Sequence, residues 1–211
     1  MQKIIVFGAT GGTGRLVVQQ AIQEGHQVTV IVREPDSFII RSNRVNVFKG
    51  DVFQPHTFEK AIAGKDAVIC CLGIQKREPT TVYSAGVSNI IEAMEMHLVK
   101  RIICLSAGAV IVPPKAGSLT KFFIKNILQK LFVHLYTDML IMEKIIKATD
   151  LDYTIVRAPW LRDTKHTRNY RTAINEHLSN PTKISRADLA DYIVTHLIDE
   201  KTFKATVEIS Y

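Results

Sequence analysis

The chain has 211 residues, a formal net charge of +7 and a pI near 9.3, and 46% of its residues are hydrophobic. A chain of this length can fold as one domain that buries roughly 70% of its unfolded surface, without needing disulfide bonds or structural metals. No apolar run approaches the roughly 18 residues that cross a bilayer, and the scattered cations lack the aromatic platform of a nucleic-acid site.

The first predicted unit is a β-strand over residues 3–7, a glycine-rich turn, a helix over 15–24 and a second strand over 27–32. Such a turn aims main-chain amides and the positive end of the helix at a phosphate. We therefore predict a dinucleotide site, with Thr10 and Thr13 able to cap the helix. An ordinary corner without a ligand is the alternative. The residues expected at the pyrophosphate are Gly8, Thr10, Gly11, Gly12, Thr13 and Gly14.

Strand and helix patterns alternate along the rest of the chain without a linker or a repeat. This alternation predicts a single α/β domain over residues 1–211, a Rossmann-like doubly wound parallel sheet flanked by helices. Further strands are expected at 45–49, 66–72, 101–105, 152–156 and 205–209, and further helices at 55–63, 81–97 and 186–199, the last capped by Ser185. Residues 110–150 are expected to form a helical segment on the substrate side.

Residues that follow the strands are candidate ligand contacts, because ligands of such sheets lie along the carboxyl ends of the strands. Arg33 suits the 2′-phosphate of NADP, which predicts a preference for NADPH over NADH. Glu34 stands at about the spacing of a ribose-binding acid, so the alternative is that Glu34 turns inward and Arg33 is solvated. Asp51 and Val52 are expected beside the adenine, although Asp51 equally suits the start of the next helix.

Segments at the strand ends also carry a resemblance to a known family. They are GATGGTG at 8–14, GDV at 50–52, AVICCLG at 67–73, VKRIICLSA at 99–107, LDYTIVRAP at 151–159 and ISRADLA at 184–190. Together they resemble the NAD(P)-binding, NmrA-like branch of the atypical short-chain dehydrogenases, and within it the flavin and biliverdin reductases. The likeness covers nearly the whole chain except roughly residues 110–135.

The resemblance implies an NADPH-dependent oxidoreductase that transfers hydride to a flavin or a linear tetrapyrrole. The residues it places around the nicotinamide and its ribose are Leu72, Gly73, Ser106, Pro159 and Trp160, with Ser106 as the catalytic residue. Cys71 and Ala107 stand beside them at the same strand ends and are further candidates for cofactor contacts. Those reductases have a second arginine where this chain has Ser37 and a histidine where it has Trp160, so phosphate binding and substrate choice are expected to differ.

Many short-chain dehydrogenases use a Tyr-x-x-x-Lys pair for proton transfer, but Tyr136 is followed by Leu140 at that spacing. We therefore assign no catalytic tyrosine, and reduction of an isolated ketone is disfavoured. Flavins and other conjugated acceptors need less help, because their developing charge is delocalised. A non-enzymatic NAD(P)-binding redox sensor of NmrA type is the alternative function.

The expected partner is a small planar acceptor, with no nucleic acid, no metal and no membrane span, in a cytoplasmic monomer or homodimer. Cys70, Cys71 and Cys104 lie in apolar runs, which predicts buried, reduced thiols. Cys71 stands at a strand end, where inert packing is the simpler interpretation of its presence near the cofactor.

The segment from Lys115 to Lys130 has the pattern of a basic amphipathic helix. For the longer segment from Val110 to Leu135, which contains it, a lid over the acceptor, a dimer face and a membrane-surface helix are three interpretations, and ordinary packing across the sheet edge is the simplest. In the next predicted helix, the polar residues Tyr136, Asp138 and Glu143 are expected on a solvated face. The alternative is that Asp138, Met142 and Lys144 border the pocket.

Overall fold

The computed structural model describes residues 1–74, 78–113 and 117–211, and it confirms the predicted α/β alternation. The strands are β1 (Lys3–Phe7), β2 (Gln27–Val32), β3 (Val45–Lys49), β4 (Ala67–Cys70), β5 (Arg101–Ala107), β6 (Asp152–Ala158), β7 (Trp160–Arg162), β8 (Arg171–Ile174), β9 (Lys183–Ser185) and β10 (Ala205–Ser210). The α-helices are α1 (Gly12–Gln23), α2 (Glu59–Ile62), α3 (Ser84–Met96), α4 (Ser118–Phe123), α5 (Gln129–Leu131), α6 (Val133–Lys147) and α7 (Arg186–Thr195).

The main sheet has the order β3-β2-β1-β4-β5-β6-β10-β8. The first seven strands in this order pair in parallel, as predicted, but β8 pairs antiparallel with β10. The predicted doubly wound parallel sheet is therefore confirmed, and β8 adds the antiparallel edge strand that is common in such folds. Because the chain crosses from β3 back past β1 to β4, the strand order reverses between β1 and β4.

Both faces of this sheet are buried at its central strands, which explains the continuous apolar runs in the sequence there. Ile4 and Val6 of β1 face the cluster that includes α1 and α7, whereas Ile5 and Phe7 face the cluster that includes α3 and α6. All four side chains are fully buried. The two helical layers therefore hold β1, and the turn that follows it, at the centre of the molecule.

Three predicted helices are shorter than expected, and the one predicted over 81–97 spans Ser84–Met96. In place of a helix over 55–63, a 3₁₀ turn at Pro55–Thr57 precedes the single turn of α2. Phe58 interrupts them with a φ of −136° while its ring packs at 5.1 Å, centroid to centroid, against that of Phe7. Core packing of Phe58 thus takes precedence over helix continuity. The helix predicted over 186–199 ends at Thr195.

The carboxylate of Asp188 ties the start of α7 to the loop before β8. The predicted cap is confirmed, because Ser185 Oγ accepts a hydrogen bond from Asp188 N at 2.8 Å. Asp188 Oδ1 in turn accepts from the amides of Thr167 and Arg168, and Oδ2 accepts from the hydroxyl of Tyr211. Burial raises the pKa of Asp188, but these hydrogen bonds outweigh it and hold the pKa at about 2.

The three cysteines are free and buried, as predicted. Within the described ranges, no helix combines the length and the apolar character that a bilayer crossing requires. β7 and β9 form a separate parallel pair that the sequence analysis missed. Each has only three residues, too few for a hydrophobic period to be visible.

Candidate functional site

A groove of about 990 Å³ runs along the carboxyl ends of β1 to β6. Fourteen of the sixteen residues that the sequence singles out line it; Gly14 and Trp160 do not. The fourteen are Gly8, Thr10, Gly11, Gly12, Thr13, Arg33, Asp51, Val52, Cys71, Leu72, Gly73, Ser106, Ala107 and Pro159. The groove lies where the strand order reverses, which is the usual ligand position in open α/β sheets.

The turn between β1 and α1 brings main chain into contact with main chain. Gly8 has a φ of +76°, and a Cβ there would lie 2.2 Å from the carbonyl oxygen of Cys71. A Cβ on Gly14 would lie 2.2 Å from the carbonyl oxygen of Gly8. Gly14 therefore lets α1 approach the turn rather than facing the groove itself. The turn is a cradle that only glycine fits at these two positions.

The start of α1 has no side-chain cap. Gly11 is the N-cap residue and makes no side-chain hydrogen bond, so the predicted capping by Thr10 and Thr13 is wrong. Thr13 is instead buried in the first turn. An uncapped helix start leaves its first amides and the positive end of the helix dipole for an anion in the groove. These features fit the pyrophosphate of a dinucleotide.

Arg186, the first residue of α7, lies against this turn. A Cβ on Gly12 would lie 2.9 Å from Arg186 Cδ and 3.0 Å from Arg186 Nε. The guanidinium lines the groove and pairs through Nη1 with the exposed carboxylate of Asp163 at 2.9 Å. Sequence reasoning quoted Arg186 within a motif but gave it no role. Its cation adds a counter-charge for a phosphate beside the glycine turn.

At the ends of β2 and β3, Arg33 lines the groove whereas Glu34 does not, and both are exposed. Ser37, which replaces the second arginine, donates its hydroxyl to the carbonyl oxygen of Glu34 at 2.6 Å. Asp51 Oδ1 accepts from the amide of Phe53 at 2.9 Å, so Asp51 stabilises its own turn as well as lining the groove. The alternative role, at the start of the next helix, is not what the structure shows, because the N-cap of the following 3₁₀ helix is Gln54, without a side-chain cap.

Ser106, at the end of β5, is held by a buried ion pair. Its Oγ donates to Glu143 Oε1 at 2.7 Å. Arg157 donates to the same carboxylate through Nε to Oε1 at 2.9 Å and through Nη2 to Oε2 at 2.5 Å. Because the hydroxyl proton is directed at Glu143, the Ser106 oxygen faces the groove as a hydrogen-bond acceptor.

The expectation that α6 presents a solvated polar face is wrong. Asp138 and Glu143 are 3% and 2% exposed. Asp138 Oδ2 accepts from the amides of Tyr83 and Ser84, so it caps the start of α3 from another helix. The alternative that Asp138, Met142 and Lys144 border the pocket is wrong as well, since the α6 residues that line the groove are Leu135 and Met139.

The groove carries few groups suited to proton transfer. Tyr83 lines it, but burial raises the pKa of Tyr83 to about 12, away from neutral pH. Burial also raises the pKa of the Cys71 thiol, which agrees with inert packing. Within the part of the chain that the structure describes, no group of three or more His, Cys, Asp or Glu side chains could hold a metal.

The segment after β6 places its residues differently from the expectation. Pro159 and Leu161 line the groove, whereas Trp160 points outward with 63% of its surface exposed. The strand alternation of β7 explains this, because neighbouring side chains point to opposite sides. The position around the nicotinamide that the resemblance implies for Trp160 is not supported by this placement.

Fold and groove together define a dinucleotide-binding α/β domain of the Rossmann type. The family profile described as NAD(P)H-binding matches residues 8–200, and the chain belongs to this family.

Curated relatives are distant in sequence. Photosystem II assembly factor Ycf39 of Synechocystis is 27% identical over 159 residues, which cover 74% of this chain and 44% of that protein. An uncharacterised chloroplastic protein of Arabidopsis thaliana is 27% identical over 221 residues, which cover 99% of this chain and 76% of that protein. The match thus spans less than half the length of Ycf39.

Solved structures match over the whole chain. A short-chain dehydrogenase/reductase of Veillonella parvula in complex with NADP has a TM-score of 0.83 at 16% identity, covering 100% of this chain and 94% of that one. A Streptococcus pneumoniae protein provisionally named an NADH-flavin reductase has a TM-score of 0.81 at 20% identity, covering 100% and 99%. At such identities these matches establish the fold alone. The nearer resemblance to flavin and biliverdin reductases stays a prediction.

Proposed function

We propose that this chain is an NADPH-dependent reductase that passes hydride to a planar conjugated acceptor, a flavin or a linear tetrapyrrole. The observation that carries the proposal is the contrast along one groove. Its phosphate end has the glycine turn and two arginines, Arg33 and Arg186. Its other end has the apolar side chains of Leu135, Met139 and Leu161.

The chemistry follows from what that apolar end lacks. Reduction of an isolated ketone needs a proton donor whose pKa lies near the working pH. Tyr83 has its pKa raised to about 12, and Ser106 directs its proton at Glu143. A conjugated acceptor spreads the incoming charge over its rings and can take a proton from solvent. Apolar walls that hold the acceptor against the nicotinamide then supply the remaining requirement, which is positioning.

The residues we propose for the cofactor have distinct tasks. NADPH, when bound, supplies the hydride. The turn at 8–14 and Arg186 hold its pyrophosphate, Asp51 and Val52 flank its adenine, and Leu72 and Gly73 contact its ribose. Ser106 accepts a hydrogen bond from the carboxamide and so orients the nicotinamide ring. In this role Ser106 positions the cofactor rather than donating a proton.

The preference for NADPH rests on Arg33. Its side chain lines the groove while that of Glu34 does not, which supports the phosphate-binding interpretation over the ribose-binding one. We expect Arg33→Gln to raise the Kd for NADPH about tenfold, the effect of losing one charge-assisted contact at an exposed site, and to leave NADH unchanged. The matched variant Glu34→Gln should change neither Kd by more than about twofold. Equal affinity of the wild-type chain for NADPH and NADH would remove this role.

The activity is tested by following NADPH absorbance with FMN, FAD, riboflavin and biliverdin supplied separately. We expect turnover with at least one of them and none with a simple aliphatic ketone. Ser106→Ala should lower kcat while leaving the Kd for NADPH nearly unchanged, since most of the binding contacts lie at the other end of the groove. Tight NADPH binding without turnover of any of the four acceptors would contradict the reductase.

A redox sensor that binds NAD(P)H without catalysis is the second candidate. The observation that favours it is the same shortage of tuned proton donors within the described groove. It is also consistent with similarity to Ycf39, whose name states a role in Photosystem II assembly. The two functions differ in one measurement: a sensor binds NADPH and NADP⁺ with different affinities and consumes neither in the presence of any acceptor.

A further inference from the structure

The helical segment Ser118–Leu131, called here the basic helix, exposes an apolar face that no described part of the chain covers. It consists of α4, one π-helical turn at Ile124–Leu128 and α5. Its most exposed large apolar side chains are Leu119 at 82%, Phe122 at 61%, Phe123 at 46%, Ile127 at 44% and Leu131 at 46%. The expectation of ordinary packing across the sheet edge is wrong for this face.

The basic helix is fixed to the domain along its other side. Gln129 Nε2 donates to the carbonyl oxygens of Ala109 and Val110, the loop that follows β5, at 3.1 and 3.4 Å. Ile124 and Leu128 are half-buried, whereas Leu119 and Phe122 are exposed. The basic helix is therefore attached to the domain while its large apolar side chains stay exposed to solvent.

Charge in this region has one sign. The sequence contains no Asp or Glu between Glu95 and Asp138, and the basic helix carries Lys121, Lys125 and Lys130. A second copy of the chain would bring these lysines against the same lysines without an acid to pair them, which disfavours a symmetric dimer through this face. An anionic surface is complementary to them.

We propose that the basic helix docks on the surface of an anionic lipid bilayer, with its Phe and Leu side chains in the headgroup region and its lysines on the lipid phosphates. A short helical segment that combines exposed Phe and Leu with Lys, and carries no acid, has the composition of helices that lie in the membrane interface. Each lysine near an anionic surface contributes about a fivefold gain in partitioning. Three lysines together account for about a hundredfold.

The test is sedimentation of the full chain with vesicles of phosphatidylcholine containing about 30% phosphatidylglycerol, at low and at high salt. We expect pelleting at low salt, a marked loss at high salt, and little pelleting with pure phosphatidylcholine. Equal pelleting with both vesicle compositions, or pelleting with neither, would overturn the proposal.

Two pairs of variants separate this surface from general stickiness. Lys121→Gln/Lys125→Gln/Lys130→Gln should weaken binding about a hundredfold, whereas Lys60→Gln/Lys100→Gln/Lys201→Gln makes the same change in net charge at exposed lysines elsewhere and should weaken it only slightly. Leu119→Ser/Phe122→Ser should weaken binding at least tenfold, and the equally exposed pair Ile39→Ser/Ile198→Ser should not.

Folding and self-association are checked separately. All four variants should keep the wild-type affinity for NADPH, because the changed side chains lie outside the groove. If each control variant weakened vesicle binding as much as the matching variant of the basic helix, the assignment to the basic helix would be wrong. Sedimentation velocity without lipid should show no dimer that Leu119→Ser/Phe122→Ser abolishes; such a dimer would assign the face to a second copy instead.

Discussion

The phosphate end of the groove is built by main chain from one continuous stretch, residues 8–14, whereas the proposed acceptor end is built by side chains from β5, α6, β6 and β7. At the first end, the sequence determines geometry through the residues that lack a Cβ. At the second, Ser106, Glu143 and Arg157 act on one another across three elements. Substitutions at the two ends should therefore destabilise the fold in different ways. At the first end they introduce backbone strain, and at the second they leave a buried charge unpaired.

The largest effect is expected at Gly8. Gly8→Ala meets both an unfavourable φ of +76° and a backbone oxygen 2.2 Å from the new Cβ. We expect a loss of on the order of 4–5 kcal/mol in the free energy of unfolding, measured by urea denaturation, and no detectable NADPH binding. Gly64→Ala is the matched control, because Gly64 has a φ of +67° with nothing within 4 Å of its Cβ, and it should cost only about 1 kcal/mol. Equal losses in the two variants would show that the close approach to Cys71 is unimportant.

At the acceptor end, Glu143→Ala should leave the Arg157 guanidinium buried without its carboxylate. We expect a loss of about 3 kcal/mol in the free energy of unfolding. Glu143→Gln keeps the shape and one acceptor, so it should lose less, and Glu92→Ala on the exposed side of α3 should change stability by under about 0.5 kcal/mol. If Glu143→Ala were as mild as Glu92→Ala, the buried pair would have no structural role.

Arg186 tests whether the phosphate end also depends on a remote side chain. Arg186→Gln should raise the Kd for NADPH and for NADH alike, by about tenfold, because the pyrophosphate is common to both. Arg33→Gln should affect NADPH alone, so the two arginines are distinguished by titration with both cofactors. Arg162→Gln removes a nearby exposed cation outside the groove and should change neither affinity. A selective loss of NADPH binding in Arg186→Gln would place this residue at the 2′-phosphate instead.

A pH effect is expected from Asp188, which ties the start of α7, and with it Arg186, to the loop before β8. Its pKa is about 2 in the folded chain against an ordinary value of 3.8, so the unfolded chain takes up a proton first as the pH falls. The stabilisation is therefore present above about pH 4 and is lost as the pH falls toward about 2. Measured by urea unfolding, the free energy of unfolding should fall less between about pH 4 and about pH 2 in Asp188→Asn than in the wild type. An unchanged dependence on pH would contradict the contribution of Asp188, and Asp36→Asn, at an exposed site, is the control.

Sequence reasoning succeeded where the determinant is local. The glycine turn, the strands around it and the Ser185 cap depend on residues within a few positions of one another. It failed for Asp138 and Glu143, because their partners Tyr83 and Ser106 lie 55 and 37 residues away. Polar residues on a helix usually face water, so a single sequence gave no reason to place these two inside. Arg186 was missed for the same reason, since only the fold brings it to Gly12.

Trp160 was expected to face the groove, but Leu161 does so instead. The cause lies in strand β7 itself. Strand β7 is three residues long, and its side-chain alternation is fixed by pairing with β9, which is equally short. A shift of one residue exchanges the two faces of a strand. Without the pairing partner, the sequence could not decide which of the two side chains faces the groove.

The reactivity of the three buried thiols can be used to measure how often the sheet becomes exposed to solvent. Cys70 and Cys104 sit side by side on neighbouring strands under the helical layer, and Cys71 lines the cofactor groove. An alkylating reagent reaches such sulfurs only when the sheet is transiently uncovered, so its rate of incorporation measures that exposure without any introduced label. Mass spectrometry of labelled peptides would then separate local exposure at Cys71, which a bound nucleotide should slow, from complete unfolding that frees all three together.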